Sequence, residues 1–159
     1  MILYHGSNII VETPQIIISS RSLDFGSGFY ATSNRQQAER WAKLKTTRRK
    51  KGKAQLSIYE FDEKKAAELK SLHFYSPQSD WLDFVTQNRK KIYNGEKFDI
   101  VIGPVANDTT MTVLSDYMVG NISEEVALIL LKPQKLADQY AFLTWDGLQC
   151  LKYLGGESV

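Results

Sequence analysis

Thiols are almost absent from this chain: Cys150 is the one cysteine in 159 residues. No disulfide can close within it, which suits a reducing compartment. A nucleophilic role for Cys150 needs a base close in space, and with only two histidines in the chain thiol chemistry is set aside. Charge of one sign is also lacking. Twenty Lys and Arg against 18 Asp and Glu leave a net charge of +2, so no general affinity for nucleic acid or membrane is implied. There is no apolar run of membrane-spanning length, and Met1–His5 lacks the basic and apolar regions of a signal peptide. Cytoplasmic residence, with no membrane partner, is the expectation. No Walker lysine, helix-borne histidine pair or metal-ligand cluster is present, so no metal is expected. Without repeats, low-complexity segments or linkers, the sequence reads as one domain over residues 1–154. Gly155-Gly156 is read as opening a loose tail over 155–159.

What is present concentrates between Asp24 and Trp41. Gly26-Ser27-Gly28 allows a close backbone approach or a positive φ, and it delivers Phe29 and Tyr30 at the start of a short strand. A helix follows. Ser33 with Gln36 has the form of a capping box, and Ala38, Trp41 and Ala42 share one helical face. Tyr30 and Trp41 therefore flank one cleft, where facing rings suit a flat heterocycle. The glycine pair leads into a strand instead of a helix, so it does not fit a Rossmann fingerprint. Beyond the helix, the basic residues from Lys43 to Lys53 read as a solvated helix end, with phosphate or acidic-substrate contact as the minority reading.

Ile2–His5 reads as a strand stopped by Gly6-Ser7-Asn8, with His5 at its last position. Ile16–Ile18 suggests a short strand. Residues 54–61 alternate as a strand, 64–70 form a short helix or turn, and 72–75 suggest another strand. Pro77 starts a helix carrying Trp81, Phe84 and Val85 on one stripe. Residues 97–105 look like the most buried strand, and Asn107-Asp108 caps the next helix. Ser123 caps another. Gln139–Leu143 is read as the last strand, and Thr144 as the cap of a C-terminal helix containing Cys150. Strands and helices do not alternate strictly, so an α+β fold is expected.

Three separated pieces then resemble one constellation. Leu3-Tyr4-His5-Gly6-Ser7 resembles the first motif of diphtheria-toxin-like and poly(ADP-ribose)polymerase-like ADP-ribosyltransferases, where a histidine precedes glycine and a small hydroxyl residue. Gly26-Ser27-Gly28-Phe29-Tyr30-Ala31-Thr32 resembles the second, a Gly-x-Gly turn presenting a tyrosine. Gln139-Tyr140-Ala141-Phe142 looks like the third strand, which normally opens with Glu-Tyr. His-Gly-Ser, Asp-Phe-Gly-x-Gly-Phe-Tyr, Gln-Ala-x-x-Trp-Ala and Asp-Ile-Val-Ile-Gly-Pro-Val-Ala-Asn-Asp together are similar to a bacterial family of transferase-like domains, some encoded in toxin–antitoxin modules. That likeness spans nearly the whole chain.

The resemblance implies a split β-sheet with surrounding helices, cradling NAD as co-substrate. It implies that His5, Tyr30 and Gln139 form the catalytic set, with Gly6, Ser7, Gly28, Phe29, Tyr30 and Trp41 around the nucleotide. His5 would bond a ribose hydroxyl, the Gly6 backbone the nicotinamide carboxamide, and Tyr30 and Trp41 would clasp the nicotinamide. The transition state of such transfer is a ribosyl oxocarbenium ion, which a nearby carboxylate stabilises. Here the position holds Gln139, a neutral amide that still bonds a hydroxyl but cannot act as a base. Strand alternation turns its neighbour Asp138 to the opposite face. The expected function is mono-ADP-ribosyl transfer to a protein, nucleic-acid or small acceptor, with a small antitoxin protein as a partner. A binding-only module for NAD, ADP-ribose or a protein, and an NAD glycohydrolase, are the alternatives.

Overall fold

Ile2–Ser7 forms β1, which continues two residues past His5 instead of stopping there. Gly6 and Ser7 stay in the strand because they pair with Leu56 and Gln55 of β3, Gln55–Phe61. The glycine serves packing, not a turn. Helix α1, Arg35–Arg49, crosses β1 so closely that a Cβ on Gly6 would lie 1.9 Å from the Ala38 carbonyl oxygen. The cap of α1 is Asn34, whose side chain accepts from the Gln37 N–H, one residue later than the expected Ser33. Ser33 instead donates its hydroxyl to Asp138. The expected strand over Ile16–Ile18 does not form; Ile17 and Ile18 are exposed, with no neighbouring strand to pair them.

The computed structural model describes residues 1–159 and has an α+β architecture of seven strands and six helices. The remaining elements are β2 (Phe29–Ala31), α2 (Glu63–Ala66), β4 (Ser71–His73), α3 (Ser79–Arg89), β5 (Ile100–Pro104), α4 (Asp108–Met118), α5 (Glu124–Leu131), β6 (Asp138–Phe142), α6 (Trp145–Leu148) and β7 (Leu151–Ser158). Asn107, Ser123 and Thr144 cap α4, α5 and α6, as their side chains and spacing lead one to expect. Strand β6 is not the last. The stretch read as helix end and loose tail is β7, antiparallel to β3, and Cys150 lies buried in the turn before it. Gly155 and Gly156 belong to this strand, and Ile10 crosses it so near Gly156 that its Cδ1 would meet a Cβ at 2.4 Å.

The strands divide into a three-stranded sheet, β1-β3-β7, and a four-stranded sheet, β2-β6-β5-β4. Only β4 and β5 run parallel, and α3 lies in the connection that such a pair requires. One core, built on Trp81, Leu82, Val101 and Leu114, packs α3, α4 and α5 against one face of the larger sheet. A second core joins Leu3, Tyr59 and Phe61 of the first sheet to Ile100, Tyr140 and Phe142 of the second. Each fully buried large side chain contributes about 1.5–3 kcal/mol. The two sheets meet edge to edge at one bridge, where Tyr4 and Thr32 exchange N–H···O bonds of 2.8 and 2.9 Å. No helix is long and apolar enough to cross a membrane.

Candidate functional site

Past the Tyr4–Thr32 bridge the two sheets separate, and the split is where the three resembling segments converge. Tyr4 turns its backbone N–H and C=O toward β2. By antiparallel alternation Gly6 does the same two residues on, and there no β2 residue pairs with it. A donor and an acceptor of the main chain thus project together into the split. Such a pair matches a primary carboxamide, which offers one of each.

His5 is buried between β1 and β2. Its ring stacks on Phe29 with centroids 4.3 Å apart, and its Nδ1 lies 2.6 Å from the Tyr30 carbonyl oxygen. That oxygen can only accept, so Nδ1 carries the proton and Nε2 is left as a bare acceptor. Burial, aided by the positive charges of Lys45 and Arg49, lowers the imidazole pKa to about 4. At neutral pH His5 therefore accepts hydrogen bonds and carries no charge.

Tyr30 is held by the preceding loop. Its hydroxyl donates to the Gly26 carbonyl at 2.5 Å and accepts from the Phe25 N–H at 3.0 Å. The loop takes this path because Gly26 has φ +91° and Gly28 passes so close to β6 that a Cβ would sit 2.6 Å from the Phe142 carbonyl oxygen. Burial, then the charge of Asp24, pushes the phenol pKa up, so Tyr30 stays neutral.

Gln139, 3% exposed, lies on the same face of the sheet as Tyr30 and Ala141. Its Nε2 is 2.7 Å from Asp24 Oδ2 and 3.4 Å from the Pro104 carbonyl oxygen. Both neighbours accept only, which assigns the amide orientation and aims Oε1 the other way. The one fully sealed side-chain polar atom without a hydrogen bond is Glu157 Oε1, which nonetheless faces Arg35 at ion-pair distance. His5 Nε2 and Gln139 Oε1 have no hydrogen-bond partner within the chain. Asp24 is itself fixed by Arg89, at 2.5 and 2.7 Å, and by the Ala106 N–H at 3.0 Å. Asp138 faces away from Gln139 and ties Thr32 and Ser33 to β6.

His5, Phe29 and Tyr30 are in direct contact, and Gln139 joins them through the Asp24–Gly26 segment. Ser7 is buried and turns its hydroxyl toward Asn8 at 3.4 Å. Trp41 is half-buried on α1, and neither it nor Tyr30 stacks on another ring of the chain. Two surface concavities, along Glu60–Lys65 and around Ser76–Ser79, lie apart from all of these residues. Sequence reasoning assigned no role to Asp24 or Arg89. Asp24, set between Leu23 and Phe25, is the visible signal of a buried carboxylate; Arg89, in the last turn of α3, carries none.

No curated protein matches the chain in sequence. A family model described as protein of unknown function (DUF3990) matches residues 1–153, and the chain belongs to that family.

Proposed function

We propose that this protein is an NAD-dependent mono-ADP-ribosyltransferase, a glycosyltransferase acting on NAD. The observation that carries the reading is the unpaired N–H and C=O of Gly6 in the split between the sheets, together with two acceptors that bond nothing within the chain, His5 Nε2 and Gln139 Oε1. The first pair fits the carboxamide of nicotinamide, and the two acceptors fit ribose hydroxyls, which are donors. The division of the strands into two sheets meeting at β1 and β2 agrees with the split sheet that the ADP-ribosyltransferase resemblance implies. NAD supplies the glycosidic bond whose cleavage releases nicotinamide and passes ADP-ribose to an acceptor.

The residues have separate tasks. Gly6 orients the carboxamide, and the Tyr30 ring, fixed by its hydroxyl bonds, lies against the nicotinamide with Trp41 opposite. His5 accepts from a ribose hydroxyl without adding charge. Gln139 turns a carbonyl dipole, not a carboxylate, toward the ribose. Loss of an ionic stabiliser at such a place raises a barrier by about 2–4 kcal/mol, so transfer is slow and limited to single units. The acceptor is a protein, nucleic acid or small molecule, and a small antitoxin protein is the partner that the resemblance suggests.

The Gln139 amide also favours a second reading, a module that binds NAD or ADP-ribose without turnover; with water as acceptor the same site is an NAD glycohydrolase. Incubation with NAD labelled in the adenylate half, with cell extract or nucleic acid, separates the three. Transfer gives labelled macromolecule, hydrolysis gives free ADP-ribose, and binding returns NAD intact. Release of nicotinamide that persists unchanged in His5→Ala and Tyr30→Ala refutes the assignment of the site.

A further inference from the structure

Of the basic residues between Lys43 and Lys53, most stand in solvent, and Lys45 alone among the lysines is drawn in. Burial and the nearby charge of Arg49 lower its pKa, and no carboxylate pairs with it. Trp41, Lys45 and Arg49 recur at four-residue spacing, so they form one stripe along α1 beside the face that packs on Gly6. Arg49 is pinned to the end of β1, with Nη1 3.1 Å from Asn8 Oδ1. Lys45 is also the charge that acts most strongly on His5, with Arg49 after it. Half-buried Lys45 and exposed Arg49 thus both bear on a neutral imidazole, and neither is held in an ion pair. A half-buried ammonium whose nearest charged neighbour is another cation is disfavoured until an anion arrives.

We propose that Lys45 and Arg49 form a phosphate subsite, which takes the pyrophosphate of the nucleotide whose ribose His5 receives. Rigid placement comes from the helix and from the Arg49–Asn8 bond. The stripe then reads outward from the base-clasping ring at Trp41 to the two phosphate-binding cations. This inference rests on the nucleotide reading of the split, but it is tested separately from turnover.

Inorganic pyrophosphate titrated into the whole protein, followed by NMR of the His5 imidazole, is the direct probe. Bound pyrophosphate offsets the two positive charges, so the His5 resonances move and its titration midpoint rises. Lys45→Met abolishes that response, and Lys45→Arg keeps it. By calorimetry Lys45→Met weakens ADP-ribose binding about tenfold, the usual worth of one charged contact, while nicotinamide riboside, which lacks phosphate, binds as before. Unmoved His5 resonances in the wild type overturn the proposal without recourse to any variant, and so does a folded Lys45→Met protein with unchanged ADP-ribose affinity. If pyrophosphate binds through Lys45 but nicotinamide riboside does not bind, the subsite stands and the NAD reading falls. If NAD binds equally well with and without Lys45, the NAD reading stands and the subsite falls.

Discussion

A carboxylate at position 139 would face two oxygens. The Gln139 Nε2 sits 2.7 Å from Asp24 Oδ2 and also reaches the Pro104 carbonyl, so the surroundings demand a donor. Read in sequence, Gln139 is an acid lost; in the fold it is an amide required by Asp24, which lies 115 residues away and so leaves no local trace. Gln139→Glu should therefore cost about 2–3 kcal/mol in denaturant unfolding, with a larger loss at pH 8 than at pH 5. The sign follows from repulsion: a raised folded-state pKa makes stability fall as pH rises, because the protonated acid can still donate to Asp24. His5 behaves in the opposite sense. Its pKa is lowered from 6.5 to about 4, so the unfolded chain takes up a proton in a range where the folded protein does not. Stability is fully retained above pH 6.5 and declines as pH falls toward 4, by about 3 kcal/mol in all. Chemical denaturation across that window should show the slope in the wild type and a flatter profile in His5→Gln.

At the level of elements, the placement of α1 on β1 decides whether the split exists. Helix and strand approach so closely at Gly6 that an added Cβ would lie 1.9 Å from one backbone oxygen and 2.8 Å from the Ala42 nitrogen. Backbone cannot yield as a flexible side chain does. Gly6→Ala should push α1 off β1, with a loss of about 2–3 kcal/mol, and should abolish NAD binding more completely than Ser7→Ala, whose hydroxyl makes only a 3.4 Å contact with Asn8. Thermal melts and calorimetry check the two parts. The motif His5-Gly6 was visible in the sequence, but the purpose of its glycine was not, since the helix that needs it begins at Arg35. Caps with a side chain and a run of helix formers behind them were legible at Asn107, Ser123 and Thr144. Ser33 misled because Asn34 beside it competes for the same cap and Asp138 claims the serine hydroxyl. Ile16–Ile18 has strand composition without a strand to pair with, and composition alone does not form a sheet.

On the scale of the whole molecule, the two sheets share one bridge and one core. Leu3, Tyr59 and Phe61 pack with Ile100, Tyr140 and Phe142, so the first sheet cannot loosen without exposing the second. Strand β7 closes that arrangement from the far edge, pairing Gly155 to Ser158 with Ile58 to Gln55. The sequence hides this because two adjacent glycines read as a breaker, while the half-buried positions Leu151, Tyr153, Gly155 and Glu157 alternate with exposed ones. The bulge between Ile58 and Tyr59 leaves Leu154 without a partner on β3. A chain ended at Leu154 should therefore not behave as a domain freed of a tail. It leaves the Gln55–Ile58 half of β3 with an open edge on the side away from β1, and its melting temperature should fall by about 2–4 °C for each kcal/mol lost. Hydrogen exchange should show protection lost first in Gln55–Ile58, then in β1, and last in the β5–β6 pair buried under α3 and α4. Because β1 carries His5 and Gly6, NAD affinity should weaken along with β1 protection although no residue near the split was removed. An unchanged melting temperature, with full protection of Gln55–Ile58, would mean that β7 merely rests on the sheet and that the split is held by the Tyr4–Thr32 bridge and the shared core alone.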